Sequence, residues 1–143
     1  MANRIHLRDY TVEELRAMPA GHLKDWLAAQ VFGYKVGRML DTYNIYNGEE
    51  EIGYWDCYEE KPFIVTIGDW RFSRNWSAAG RLLEWLMKES GEAGVQSDNF
   101  DTQKYMAWYY GGCDQYYPME FAATPQDAIT TAALVFARER MEG

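Results

Sequence analysis

Histidine and cysteine are scarce in this chain. Its 143 residues include two histidines, His6 and His22, and two cysteines, Cys57 and Cys113. Both histidines lie near the N-terminus, which leaves a Ser-His or Cys-His nucleophile pair short of bases. Neither cysteine falls in a CxxC pair or near a histidine at ligand spacing, so both read as reduced packing residues and no metal site is expected. GxxxxGK[ST] and GxGxxG are absent, which disfavours the familiar routes to nucleotide hydrolysis and dinucleotide redox chemistry. Carboxylates are plentiful, but none stands in a glycine-framed or aromatic motif of an acid–base enzyme. The expectation is a protein with no catalytic residues and no cofactor.

Basic charge is the next shortage. Fourteen Lys and Arg against 22 Asp and Glu give a net charge of −8, which would repel a polyanion, so general nucleic-acid binding is disfavoured. No apolar run approaches the length of a membrane span, and no basic segment followed by an apolar stretch opens the chain; a cytoplasmic protein is expected. No Pro/Gly/Ser-rich linker interrupts residues 1–143, so one domain is expected.

Aromatic residues, by contrast, are abundant: six Trp, eleven Tyr and six Phe make up 16% of the chain. Tyrosines concentrate outside the helical segments, at Tyr43, Tyr46, Tyr54, Tyr58, Tyr105, Tyr109, Tyr110, Tyr116 and Tyr117. There they serve either sheet packing or a recognition surface, and exposed aromatics also allow a homo-oligomer. Acidic groups flank Gly53-Tyr54-Trp55, as Glu49-Glu50-Glu51 on one side and Asp56, Glu59 and Glu60 on the other. They read as a solvated edge that keeps a strand from aggregating.

Local signals give alternating helices and strands. Thr11 to Glu14 form a capping box, and Pro19 ends the helix that it opens. Leu23, Trp26, Leu27 and Val31 recur at helical spacing, with Gly33 or Gly37 as the stop and His22 as a surface or capping residue. Strands follow at Ile52–Tyr58 and Phe63–Ile67, separated by Pro62. Ser73 is the expected N-cap of a helix with an apolar stripe of Trp76, Ala79, Gly80, Leu83, Leu86 and Met87, stopped by Gly91. Gly94–Asn99, Lys104–Tyr110 and Tyr116–Ala122 read as strands, the last two joined through Gly111 to Asp114. Thr124, Pro125 and Asp127 supply an N-cap, a first-turn proline and a carboxylate able to reach back to the cap N–H. The helix they open should lay Ile129, Ala132, Ala133 and Phe136 on the sheet. The resulting fold class is α+β: a mostly antiparallel sheet of about four or five strands with helices on both faces.

Three segments carry a resemblance: the helix Leu23 to Tyr34, the start Phe72-Ser73-Arg74-Asn75-Trp76-Ser77-Ala78-Ala79, and the stretch Ala122 to Leu134. In order and spacing they are similar to the phage ABA sandwich domain family of small phage and prophage proteins, whose general function is unassigned. The resemblance implies a sheet between helix layers and a place in the host cell cytosol. The chain departs from that pattern at Ser73-Arg74-Asn75-Trp76 and at Thr130-Thr131.

The best candidate site is Asp69 to Trp76. There Arg71, Arg74, Ser73, Asn75 and Trp70 gather at a helix start whose free N–H groups favour an anion. An arginine would bind a phosphate while Trp70 or Tyr109 stacks on a base. Three functions follow as expectations. The first is a non-enzymatic phage protein that sequesters a small anionic, nucleotide-type signal, as an anti-defence protein would. The second is an inhibitor or assembly factor that binds a host protein through an acidic, tyrosine-rich surface. The third is a phosphodiesterase-like enzyme.

Overall fold

The computed structural model describes residues 6–32, 35–39, 42–47, 50–56, 63–66, 70–97, 104–111 and 117–141, with backbone alone from 32 to 66. Both cysteines, Glu59, Glu60 and the turn through Cys113 lie outside the described residues. Four helices, α1 (Val12–Ala17), α2 (His22–Ala29), α3 (Trp76–Ser90) and α4 (Pro125–Arg140), accompany two antiparallel sheets.

The first sheet is a meander of β1 (Lys35–Met39), β2 (Thr42–Asn47), β3 (Glu50–Asp56) and β4 (Phe63–Thr66), with β4 against α2. Gly37, a candidate helix stop by sequence, sits within β1 opposite Asn44. The second sheet holds β5 (Ala93–Ser97), β6 (Tyr105–Tyr109) and β7 (Met119–Ala122) in that order. The fold is therefore α+β and antiparallel, but the strands divide into sheets of four and three, because α3 separates β4 from β5.

Helices cover one face of the three-stranded sheet. Ala93 and Val95, Ala107 and Tyr109, and Glu120 and Ala122 alternate onto the face that meets α4 and α3. Gly94, Met106, Trp108, Met119 and Phe121 take the opposite face, where Met119 and Phe121 are about half exposed. Among the described residues no helix covers that second side, so the helix layer expected on each side is seen on one side of this sheet. Trp108 lies flat across it, over Gly94, where an added Cβ would stand 2.6 Å from the indole.

α4 is the pivot of the core. Every residue from Ala128 to Val135 is buried, with β6 and β7 on one side and α1, α2 and α3 on the others. Alanines at 128, 132 and 133 allow close approach, while Ile129 and Leu134 each contribute about 2 kcal/mol of apolar burial. The helix opens as its sequence dictates: Thr124 Oγ1 accepts from Asp127 N at 3.1 Å, and Pro125 fills the first turn. The Asp127 carboxylate, expected to return to the cap, turns instead to the buried ammonium of Lys24, which also donates to Thr131 Oγ1 at 2.6 Å. An ammonium removed from water needs a counter-charge more than an exposed cap N–H needs a second acceptor.

At α1 the reciprocal box forms as read: Thr11 Oγ1 accepts from Glu14 N, and Thr11 N donates to Glu14 Oε1. Arg16 then ties this helix to β7, with its Nε 2.6 Å from Glu120 Oε1. Burial pushes the Glu120 carboxyl above its ordinary range, an effect that Arg16 only partly opposes. α3 differs from its reading in two ways. Its N-cap is Asn75, whose Oδ1 accepts from Ala78 N, and its buried face is Ala78, Ala79, Leu82 and Leu86. Trp76 and Met87, expected in the apolar stripe, are 58% and 45% exposed. Gly91 ends the helix at φ +95°, a left-handed conformation that suits glycine.

Candidate functional site

At the start of α3 the sequence-derived site residues Trp70, Arg71, Ser73, Arg74 and Asn75 are neighbours, but the polar groups of Ser73, Arg74 and Asn75 are engaged with α2 and with the α3 cap. Asp25, fully buried, accepts from Ser73 N at 2.7 Å, Ser73 Oγ at 2.6 Å, Arg74 Nη2 at 2.7 Å and Arg74 Nε at 3.1 Å. Arg74 Nε and Nη2 converge on the single oxygen Oδ2 while Ser73 takes Oδ1, and this occupies the guanidinium that was expected to hold an external anion. Ser73 also accepts from Gly21 N, so its hydroxyl stitches the start of α2 to the turn before α3. Asn75 spends its side-chain oxygen on the α3 cap.

Trp70 is buried, and the Arg81 guanidinium stands 4.5 Å from the centre of one of its rings, where a stacked base would have to lie. Arg71 is exposed on the turn. Beside it, Arg74 Nη2 lies 3.1 Å from His22 Nδ1; since Nη2 is a donor, Nδ1 is the acceptor of a neutral ring. Burial and the Arg74 charge hold His22 below its ordinary value, against the pull of Asp25.

Tyr109 belongs to a different place. It lines a cleft of about 450 Å³ at the far end of α3, a helix about 22 Å long, so Tyr109 does not meet Arg74. The C-terminal ends of α3 and α4 converge on this cleft, which Glu89, Glu139, Tyr109, Tyr110, Phe136 and Arg140 line along with smaller residues. Phe136 is its centre, with Tyr109 packed at 5.1 Å and Trp85 edge-on at 5.9 Å. Tyr110 packs against Tyr117 at 5.8 Å, and Tyr117 donates to Glu92, which raises the pKa of its phenol. The Arg140 guanidinium lies 5.1 Å from the centre of the Phe136 ring and donates to Glu89 Oε2 at 3.0 Å. A second cavity of about 300 Å³ lies beyond this pair, sharing Glu89 and Arg140 and bounded by Leu7, Val31 and Trp85.

Two carboxylates, one guanidinium and two helix C-termini leave the cleft electronegative, and its rings offer faces to a cation. No family model, curated protein or solved structure matches this chain. Among the described residues no group of three or more His, Cys, Asp or Glu side chains is placed to hold a metal ion, and no helix is long and apolar enough to cross a membrane.

The sequence reading picked out Tyr109 but missed Glu89, Phe136, Glu139 and Arg140. The Tyr109-Tyr110 pair was the one local signal. Glu89 and Arg140 are 51 residues apart, and nothing local to either announces their pairing.

Proposed function

We propose that this protein is a non-enzymatic binding protein that engages a basic partner protein through its acidic, aromatic-rich surface, with the cleft between the ends of α3 and α4 as the point of contact. The observation that carries this reading is the cleft's make-up: Tyr109, Tyr110 and Phe136 beside Glu89 and Glu139, at the negative ends of two helices. Such walls favour a cationic side chain, and the net charge of −8 would steer a basic partner toward the molecule at low salt. A role as a phage inhibitor or assembly factor, and a place in the phage ABA sandwich family and the host cytosol, rest on the sequence resemblance.

The test is an NMR titration at low salt with capped peptides of alternating arginine and serine or alternating glutamate and serine. The arginine peptide should shift Tyr109, Tyr110 and Phe136, and Glu139→Lys should abolish those shifts while leaving the fold intact. Shifts spread evenly over all acidic residues, or an equal response to the glutamate peptide, would reject the reading.

A second reading keeps the anionic, nucleotide-type ligand at Arg71 and Arg74, favoured by the exposure of Arg71 on the turn before α3. It requires the ligand to compete with Asp25 for Arg74. A thermal-shift screen with cyclic and linear nucleotides tests it: a ligand at a hundred times its dissociation constant adds about 2.7 kcal/mol of stability.

A further inference from the structure

The cleft already holds a cation of the chain's own. Arg140 is the last residue of α4, its side chain is 52% exposed, and its guanidinium makes two of the contacts that the cleft offers a cation: the ring of Phe136 and the carboxylate of Glu89. Its position is equally informative, because both members of the Arg140–Glu89 pair border the cavities of about 450 and 300 Å³. Tyr109 and Trp85 pack on Phe136 from other directions.

We infer that Arg140 is a resident stand-in for the ligand: the cleft is an arginine-side-chain site, and a partner's arginine enters by displacing Arg140 from Phe136 and Glu89. The inference rests on the basic-partner reading above and specifies its chemistry. A planar guanidinium can stack on Phe136 while donating in its own plane to Glu89, whereas a lysine ammonium can make only a point contact, so arginine is favoured over lysine. Displacement frees Arg140 into solvent, which its exposure and its place at the end of the helix permit. A resident occupant lowers apparent affinity in proportion to the fraction of molecules it blocks.

Arg140→Ala should therefore tighten binding of the capped arginine/serine peptide by about tenfold, and its lysine/serine counterpart should bind more weakly to both proteins. Arg140→Gln, which keeps a polar, hydrogen-bonding side chain but removes the charge, should tighten binding in the same direction. Arg8→Ala removes one positive charge from an exposed site elsewhere and controls for net charge; it should leave the affinity within twofold of wild type. Thermal unfolding of each variant checks that the fold is retained. Binding by wild type that Arg140→Ala weakens, leaves unchanged or tightens no more than Arg8→Ala would overturn the inference and leave the basic-partner reading standing. Absence of peptide binding by every protein would overturn both.

Discussion

Lys24 and Asp25 are consecutive in α2 and both buried, yet their charges are neutralised by different elements: Lys24 by Asp127 of α4, Asp25 by Arg74 in the turn before α3. Successive helical residues point about 100° apart, so one short helix can hold two neighbours at once. α2 thus fixes where α4 and α3 begin relative to each other.

The two charges should differ in how much their loss costs. Asp25→Ala strands a partly covered guanidinium and the Ser73 N–H and O–H, and should lower stability by about 3 kcal/mol. Lys24→Met keeps the length of the stem and leaves Asp127, which can rehydrate at the edge of the core, so about 1 kcal/mol is expected. Urea unfolding midpoints measure both; a Lys24→Met cost equal to that of Asp25→Ala would contradict this ranking.

His22 sets a pH dependence whose sign follows from its environment. Its folded-state affinity for a proton is below the ordinary value of 6.5, with burial the leading cause and Arg74 the next. The unfolded chain therefore binds more protons as the pH falls through that region, and stability declines on acidification. Above it, the neutral ring costs nothing. His22→Gln should remove this part of the decline, and denaturation midpoints of the two proteins should converge near pH 8 and part below the histidine range. Parallel curves throughout would show that His22 does not carry the effect.

The rotated face of α3 gives a direct comparison. Leu82, absent from the expected stripe, is fully buried, and Leu82→Ala should cost about 3 kcal/mol. Trp76, which belonged to that stripe, stands mostly in solvent, and Trp76→Ala should cost less than about 1 kcal/mol despite the larger deletion. The reverse order in a urea series would restore the original stripe.

Features that depend on a few adjacent residues were legible in the sequence. The Thr11–Glu14 box, the Thr124–Pro125 start, the Gly91 stop and the β6 and β7 segments are all local in origin. Features decided by distant partners were not. Ser73 looks like a cap, but Asp25, 48 residues away, claims its hydroxyl, and the cap passes to Asn75. Asp127 looks like the far half of a capping box until Lys24, 103 residues away, takes its carboxylate. β1 and β2 went unread because Gly37 and Asn44, opposite each other in the ladder, carry little strand preference. The cleft was the least legible, since its walls come from residues 89 to 140 and exist only once two helix ends and a strand end meet.

The position of α4 has a consequence for synthesis. Its buried face is the surface on which α1, α2, α3 and the three-stranded sheet all close, yet it follows every one of them in the chain. As the polypeptide leaves the ribosome, Leu15, Trp26, Leu82 and Ala107 lack their common counterpart until Ile129 to Val135 emerge. Cooperative closure therefore waits for α4, and the growing chain must keep its sticky surfaces apart until then.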